Sequence, residues 1–155
     1  MVLTGNQLLK TGGILSFAVA LLHIVIILAG APAYRYFGAG EEMATAAESG
    51  SAFPALLTLL LVAIFAIFGL YALSGAGVIR RLPFLNIALI LIGTIYTVRG
   101  VAVFQQLFQM SMSSAEVAPR EIVFSMIALV IGLAYLVGTI VSWRRLPARS
   151  NAAQT

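Results

Sequence analysis

Cysteine is absent from the 155-residue sequence. That excludes disulfides, thiolate nucleophiles, Cys-ligated metals and Cys-type acylation anchors, and it leaves the redox compartment open. Charge is nearly as scarce. Asp, Glu, Lys and Arg make up 9% of the residues, against roughly 25% in a soluble domain, so this chain cannot cover a water-facing surface. The single histidine, His23, supplies one axial haem ligand at most and no helical His pair. No His, Cys or carboxylate cluster has metal-ligand spacing, so neither a metal nor a cofactor is expected. The formal net charge of +4 is nine Lys and Arg less five Glu, and apart from Arg99 the cations are scattered near the ends of apolar runs. A basic stripe with interleaved aromatics is missing, which argues against nucleic-acid binding.

What the chain has is apolar length. Hydrophobic residues form 61% of it, and the mean hydropathy is +1.06. Proline punctuates these runs. Thr4 with Gln7 resembles a capping box that opens the first helix, and Pro32 follows its end. Pro54, Pro83 and Pro119 each sit where the first turn of a following helix tolerates a missing N–H, and Pro147 follows the last span. The pattern predicts helices at 6–31, 54–79, 83–109 and 119–144. Each contains a stretch near the ~20 residues that cross ~30 Å of hydrocarbon. The expected fold is all-α: one domain over 1–155, a polytopic membrane protein with four transmembrane helices in an up-down bundle. A loop over 32–53 holds a short helix at Glu41–Glu48 with Met43, Ala46 and Ala47 facing the membrane or the bundle, and 147–155 is a flexible tail. Barrel strands are excluded because no run alternates with period two and each is twice a strand's length. Ala29-Gly30-Ala31 resembles a signal-peptidase site, but the long apolar core and Pro32 just after the cut favour an uncleaved first span.

Orientation follows from the cations. Lys10, Arg80, Arg81, Arg144, Arg145 and Arg149 lie on one side of the layout, and only Arg35 and Arg120 on the other. The positive-inside rule then puts both termini in the cytoplasm. Tyr71 followed by Arg80-Arg81-Leu82-Pro83 recurs as Tyr135 followed by Arg144-Arg145-Leu146-Pro147, at a constant offset of 64. Two independent arginine stops explain this more simply than a parallel repeat, because the first and third spans align poorly.

Inside the spans the ionisable acid-base side chains are His23 and Arg99. Arginine in hydrocarbon costs about 2.5–3.5 kcal/mol on insertion scales, so it persists where it has a partner or a job. A rise of 1.5 Å per residue puts His23 roughly 20 Å above Lys10 and Arg99 roughly 24 Å above Pro83, both in the outer half of the membrane. Tyr96, Arg99 and Gln106 share one face of the third span. Glu41, Glu42 and Glu48 of the first loop, or Glu121 at the top of the fourth span, are carboxylates within call of Arg99. Tyr34, Tyr36 and Phe37 read as interfacial aromatic anchors. The candidate ligand-binding residues are therefore Arg99, His23, Tyr96, Gln106, Tyr34 and Glu121, with none catalytic. The blander reading has Arg99 snorkelling to headgroups and His23 in an interhelical hydrogen bond. Small residues at Ser74-Gly75-Ala76-Gly77, at Gly93, Thr97 and Gly100, and at Ala134 and Gly138 read as packing seams.

The Tyr34-Arg35-Tyr36-Phe37-Gly38-Ala39 loop, the Leu70–Gly77 run with Arg80-Arg81-Leu82-Pro83, and Arg99-Gly100 resemble a group of small bacterial four-helix inner-membrane proteins of unknown function, over about residues 10–105. In size and layout the chain is also similar to DoxX-like four-helix proteins. The resemblance implies the topology and no active site. The expected function is a non-enzymatic membrane protein that binds a lipid, a quinone-like or other amphipathic ligand, or a membrane partner, in an outer-half pocket. Membrane lipids and a second copy of the chain are its expected partners. A small oligomeric transporter or channel component is the second class, and a membrane enzyme using His23 as base the third.

Overall fold

The structure, a computed structural model, describes residues 4–112 and 118–143. Among these the chain is all-helical: α1 (Gly5–Ala29), α2 (Ala31–Tyr36), α3 (Glu41–Glu48), α4 (Phe53–Gly75), α5 (Leu85–Met112) and α6 (Pro119–Trp143). Helices α1, α4, α5 and α6 are each long and apolar enough to cross a membrane. They leave large apolar side chains exposed in number, including Leu28, Leu56, Ile87 and Val98, the surface that lipid covers. The class is an integral membrane protein with four spans. The arginine repeat at Arg144-Arg145 and the expected tail at 147–155 lie outside the described residues.

Local chemistry accounts for the helix ends. The Thr4 amide donates to Gln7 Oε1 at 2.9 Å and the Gln7 amide to Thr4 Oγ1 at 3.3 Å, a reciprocal capping box. The first span stops at Ala29 rather than 31, because Gly30 adopts φ 70, a left-handed value open to glycine. The chain resumes at once as α2, where the sequence pattern predicts loop. The second span ends at Gly75, four residues before the expected 79. Gly77 at φ 72 terminates it with paired bonds, Val78 N–H to Leu73 O at 2.9 Å and Gly77 N–H to Ser74 O at 3.1 Å. The third span begins at Leu85, not Pro83, since Phe84 sits at φ 52 and breaks helical continuity. For a bulky aromatic that backbone costs about 1–2 kcal/mol.

The chain divides into two compact units, Ile14–Leu70, and Met1–Gly13 with Tyr71–Thr155. In the first, Ile26, Ala31, Ala33, Tyr34 and Ala44 form a buried cluster, flanked by Leu22, Phe37 and Ala47. It seats α2 and α3 on the end of α1. Gly69 of α4 faces the Phe17 ring so closely that a Cβ there would lie 2.7 Å from it.

In the second unit α5 crosses α6 along small residues. A Cβ on Gly93 would meet Leu136 at 2.8 Å, one on Gly132 would meet the Thr97 nitrogen at 2.6 Å, and one on Gly100 would meet the Leu129 Cα at 2.5 Å. Backbone approach this close is how helices gain packing energy in lipid, where no hydrophobic force joins them. The same unit packs Gly12 on the fully buried Tyr135 ring, and Leu9 against Gly75 and Gly138.

Candidate functional site

The α5–α6 crossing positions the central charge. Gly100 brings α5 onto Leu129, and Ser125 lies one turn before Leu129 on α6. Arg99, the residue before Gly100, therefore reaches Ser125: its Nη1 donates to Ser125 Oγ at 3.0 Å. Ser125 is fully buried, whereas Arg99 is exposed on the bare chain beside exposed Val98 and Val101. Among the described residues Arg99 has no carboxylate within ion-pair distance. A neutral hydroxyl orients the guanidinium but cannot neutralise it.

The expected neighbours of Arg99 divide. Tyr96 lies one turn earlier on α5 and is buried, its ring 6.0 Å from that of Tyr135. Gln106 lies two turns later, and its Oε1 is buried with no hydrogen-bond donor among the described residues. Glu121 is exposed one turn before Ser125 on α6. His23 and Tyr34 belong to the other unit.

His23 Nδ1 lies 2.8 Å from the Val19 carbonyl. A carbonyl only accepts, so this nitrogen carries the hydrogen, and in the neutral ring Nε2 keeps its lone pair. The imidazole packs on Phe65 with ring centres 5.0 Å apart. The blander reading expected an interhelical bond; the structure instead satisfies His23 within α1, because the carbonyl one turn earlier lies within reach of Nδ1. Tyr34 is 3% exposed in the α2–α3 cluster, with its hydroxyl 3.3 Å from that of Thr58. It faces protein, not the membrane interface, because α2 turns it inward onto Ala44. Tyr36, 53% exposed, is the outward aromatic of the segment, and its ring stacks edge-on with Phe37.

Two of the carboxylates expected near Arg99 are committed elsewhere. Arg35 donates through Nε and Nη2 to Glu41, at 3.0 and 2.7 Å, and through Nη1 and Nη2 to Glu48, at 2.6 and 3.0 Å. Both carboxylates are held below the usual carboxylate range by the Arg35 hydrogen bonds, and Arg35 is raised by them in turn. The signal for this clamp was present: Glu41 and Glu48 are seven residues apart and so share one face of α3. Ser125 carried no comparable signal, being one hydroxyl in an apolar run.

No family model matches the chain, and no curated protein or solved structure is detectably similar to it. The site therefore rests on its own geometry.

Proposed function

We propose that this membrane protein holds an anionic amphiphile, a lipid or other amphipathic molecule with an acidic head, and that Arg99 is the contact for its negative end. The observation that carries this reading is a guanidinium in the middle of an apolar span whose hydrogen-bond partner is a buried neutral serine. An arginine so placed draws an anion from its surroundings, and the surroundings of an exposed span are amphiphiles. The orphaned acceptor of Gln106, on the same helix face, adds a place for a donor on the ligand. Positive-inside orientation, with both termini in the cytoplasm of a bacterial inner membrane, puts this site in the outer half.

The test is retention of phospholipid by native mass spectrometry after release from nanodiscs that contain phosphatidylglycerol in phosphatidylcholine. Arg99→Ala should lose the bound anionic lipid several-fold more than Arg80→Ala, which removes a charge at the end of a span. Equal losses from the two variants would reduce Arg99 to an ordinary snorkelling cation and end the proposal.

A further inference from the structure

A cavity of about 340 Å³ lies in the unit formed by the start of α1 and the chain from Tyr71 onward, at the helix ends remote from Arg99. Its walls are Asn6 at the start of α1, Ser74 at the end of α4, Arg81 in the α4–α5 connection, Asn86 at the start of α5, and Thr139 and Ser142 near the end of α6. Each of these falls within about two turns of a span's end, the level of lipid headgroups. The floor is apolar, made by Leu9, Leu85 and Leu89, which are all buried, with Gly75 between Leu9 and Leu89.

The polar groups sort by what they have left to give. The Ser74 hydroxyl donates to Arg80 O at 3.1 Å and accepts the Leu82 amide at 2.9 Å, so it shapes the wall that carries Arg81. Thr139 donates to Tyr135 O at 2.7 Å. Ser142 lies 3.3 Å from Asn6 Oδ1, which leaves the Asn6 amide hydrogens unspent. Asn86 and Arg81 make no side-chain hydrogen bond or ion pair among the described residues. What faces the cavity is thus a guanidinium and two carboxamides as donors, with no carboxylate among the described residues of the lining.

We infer that this cavity is a second binding site, for a phosphate group bearing a small polar head. Arg81 takes the phosphate as a charge-assisted pair. Asn6 and Asn86 take the oxygens of the attached head, and the leucine floor accepts its carbon skeleton. At the small end of the roughly 300–1,000 Å³ typical of ligand pockets, the space suits a headgroup and leaves acyl chains outside. The same chemistry is offered by a phospholipid and by a soluble phosphate monoester. This site is independent of the Arg99 reading, because it uses none of the same residues.

The experiment uses the full chain in phosphatidylcholine nanodiscs with a phosphatidylglycerol analogue whose headgroup carries a photoreactive group, and maps the labelled peptides. Wild type should be labelled in the 77–89 segment. Asn86→Asp, which keeps the shape of the side chain and puts a negative charge in the cavity, should lower that labelling at least five-fold, and Arg81→Gln should do the same. Arg80→Gln, one residue away and outside the lining, should leave it unchanged. A second arm adds sn-glycerol 3-phosphate: competition identifies a site filled from water, and undiminished labelling one filled from the membrane. Labelling of Asn86→Asp and Arg81→Gln at the wild-type level overturns the inference, as does an equal loss in Arg80→Gln. Thermal unfolding of each variant accompanies the labelling, and Asn86→Leu replaces Asn86→Asp if the latter fails to fold.

Discussion

Arg35 and Arg99 show how differently one residue type is used at two depths. Arg35 lies outside the spans and is saturated by two carboxylates, whereas Arg99 lies within one and meets a hydroxyl. The Arg35 clamp has a definite pH signature. Glu41 and Glu48 are depressed in the folded protein relative to an ordinary 4.5, so the clamp's contribution is complete above that value. It is lost as pH falls through their lower folded values. Amide exchange across α3 should therefore quicken, relative to intrinsic rates, only below about pH 4.5, and Arg35→Gln should abolish the dependence. High salt should weaken the clamp at neutral pH, since all three groups are exposed. Tyr34 gives a second prediction at this scale. Tyr34→Phe removes the pairing with Thr58 but keeps the buried ring, and should cost about 0.5–1.5 kcal/mol in micelle unfolding. Tyr34→Ala empties the α2–α3 cluster and should cost about 3–5 kcal/mol. A Tyr34→Ala cost near zero would mean that the cluster does not hold α2 and α3.

Between elements, what counts is close approach. Gly100 touches the backbone of Leu129, which has no rotamer to yield, so Gly100→Ala must push α5 from α6. The expected cost is about 1–3 kcal/mol in unfolding assays, with loss of the Arg99–Ser125 bond as a second effect. Gly30→Ala has open space around it, so its penalty should be that of the left-handed backbone alone, about 1–2 kcal/mol. The α4–α5 connection depends on one hydroxyl. Ser74→Ala strips partners from both Arg80 O and the Leu82 amide and should cost about 1–3 kcal/mol. Much of this was visible beforehand. The capping box at Thr4 and Gln7, the short helix at Glu41–Glu48 and the small-residue seams are local patterns, and local patterns survive folding. The premature stop of α4 was also written in Gly77, but an apolar run continuing through Val78 and Ile79 masked it.

At the scale of the whole chain, four spans and an odd distribution of arginine define the topology to be tested. Because the protein has no cysteine, Thr45→Cys creates a unique thiol in exposed α3. An impermeant maleimide should label it from outside intact spheroplasts, and labelling only after lysis would reverse the orientation and move Arg99 to the cytoplasmic half. Arg99 was legible as a candidate from its depth alone, and its partner Ser125 was not. Helices α1 and α4 are apolar all round, so composition gives no preferred face and no rotation about the helix axis. The carboxylates offered to Arg99 were placed by level, a one-dimensional measure that ignores which way each side chain turns. Glu41 and Glu48 lay at a suitable level and turned to Arg35.

The amino-acid sequence by itself determined the class of protein and the existence of the four spans and of the short helix at Glu41–Glu48. Spanning a bilayer is a demand on consecutive residues, and caps and breaks act within a turn. The tertiary structure alone decided that Arg99 meets Ser125, that Tyr34 points inward and that a donor-lined cavity opens beside Arg81. Each of these depends on how one helix is rotated against another, and in a chain this uniformly apolar that rotation is set by glycine-sized contacts rather than by any hydrophobic face.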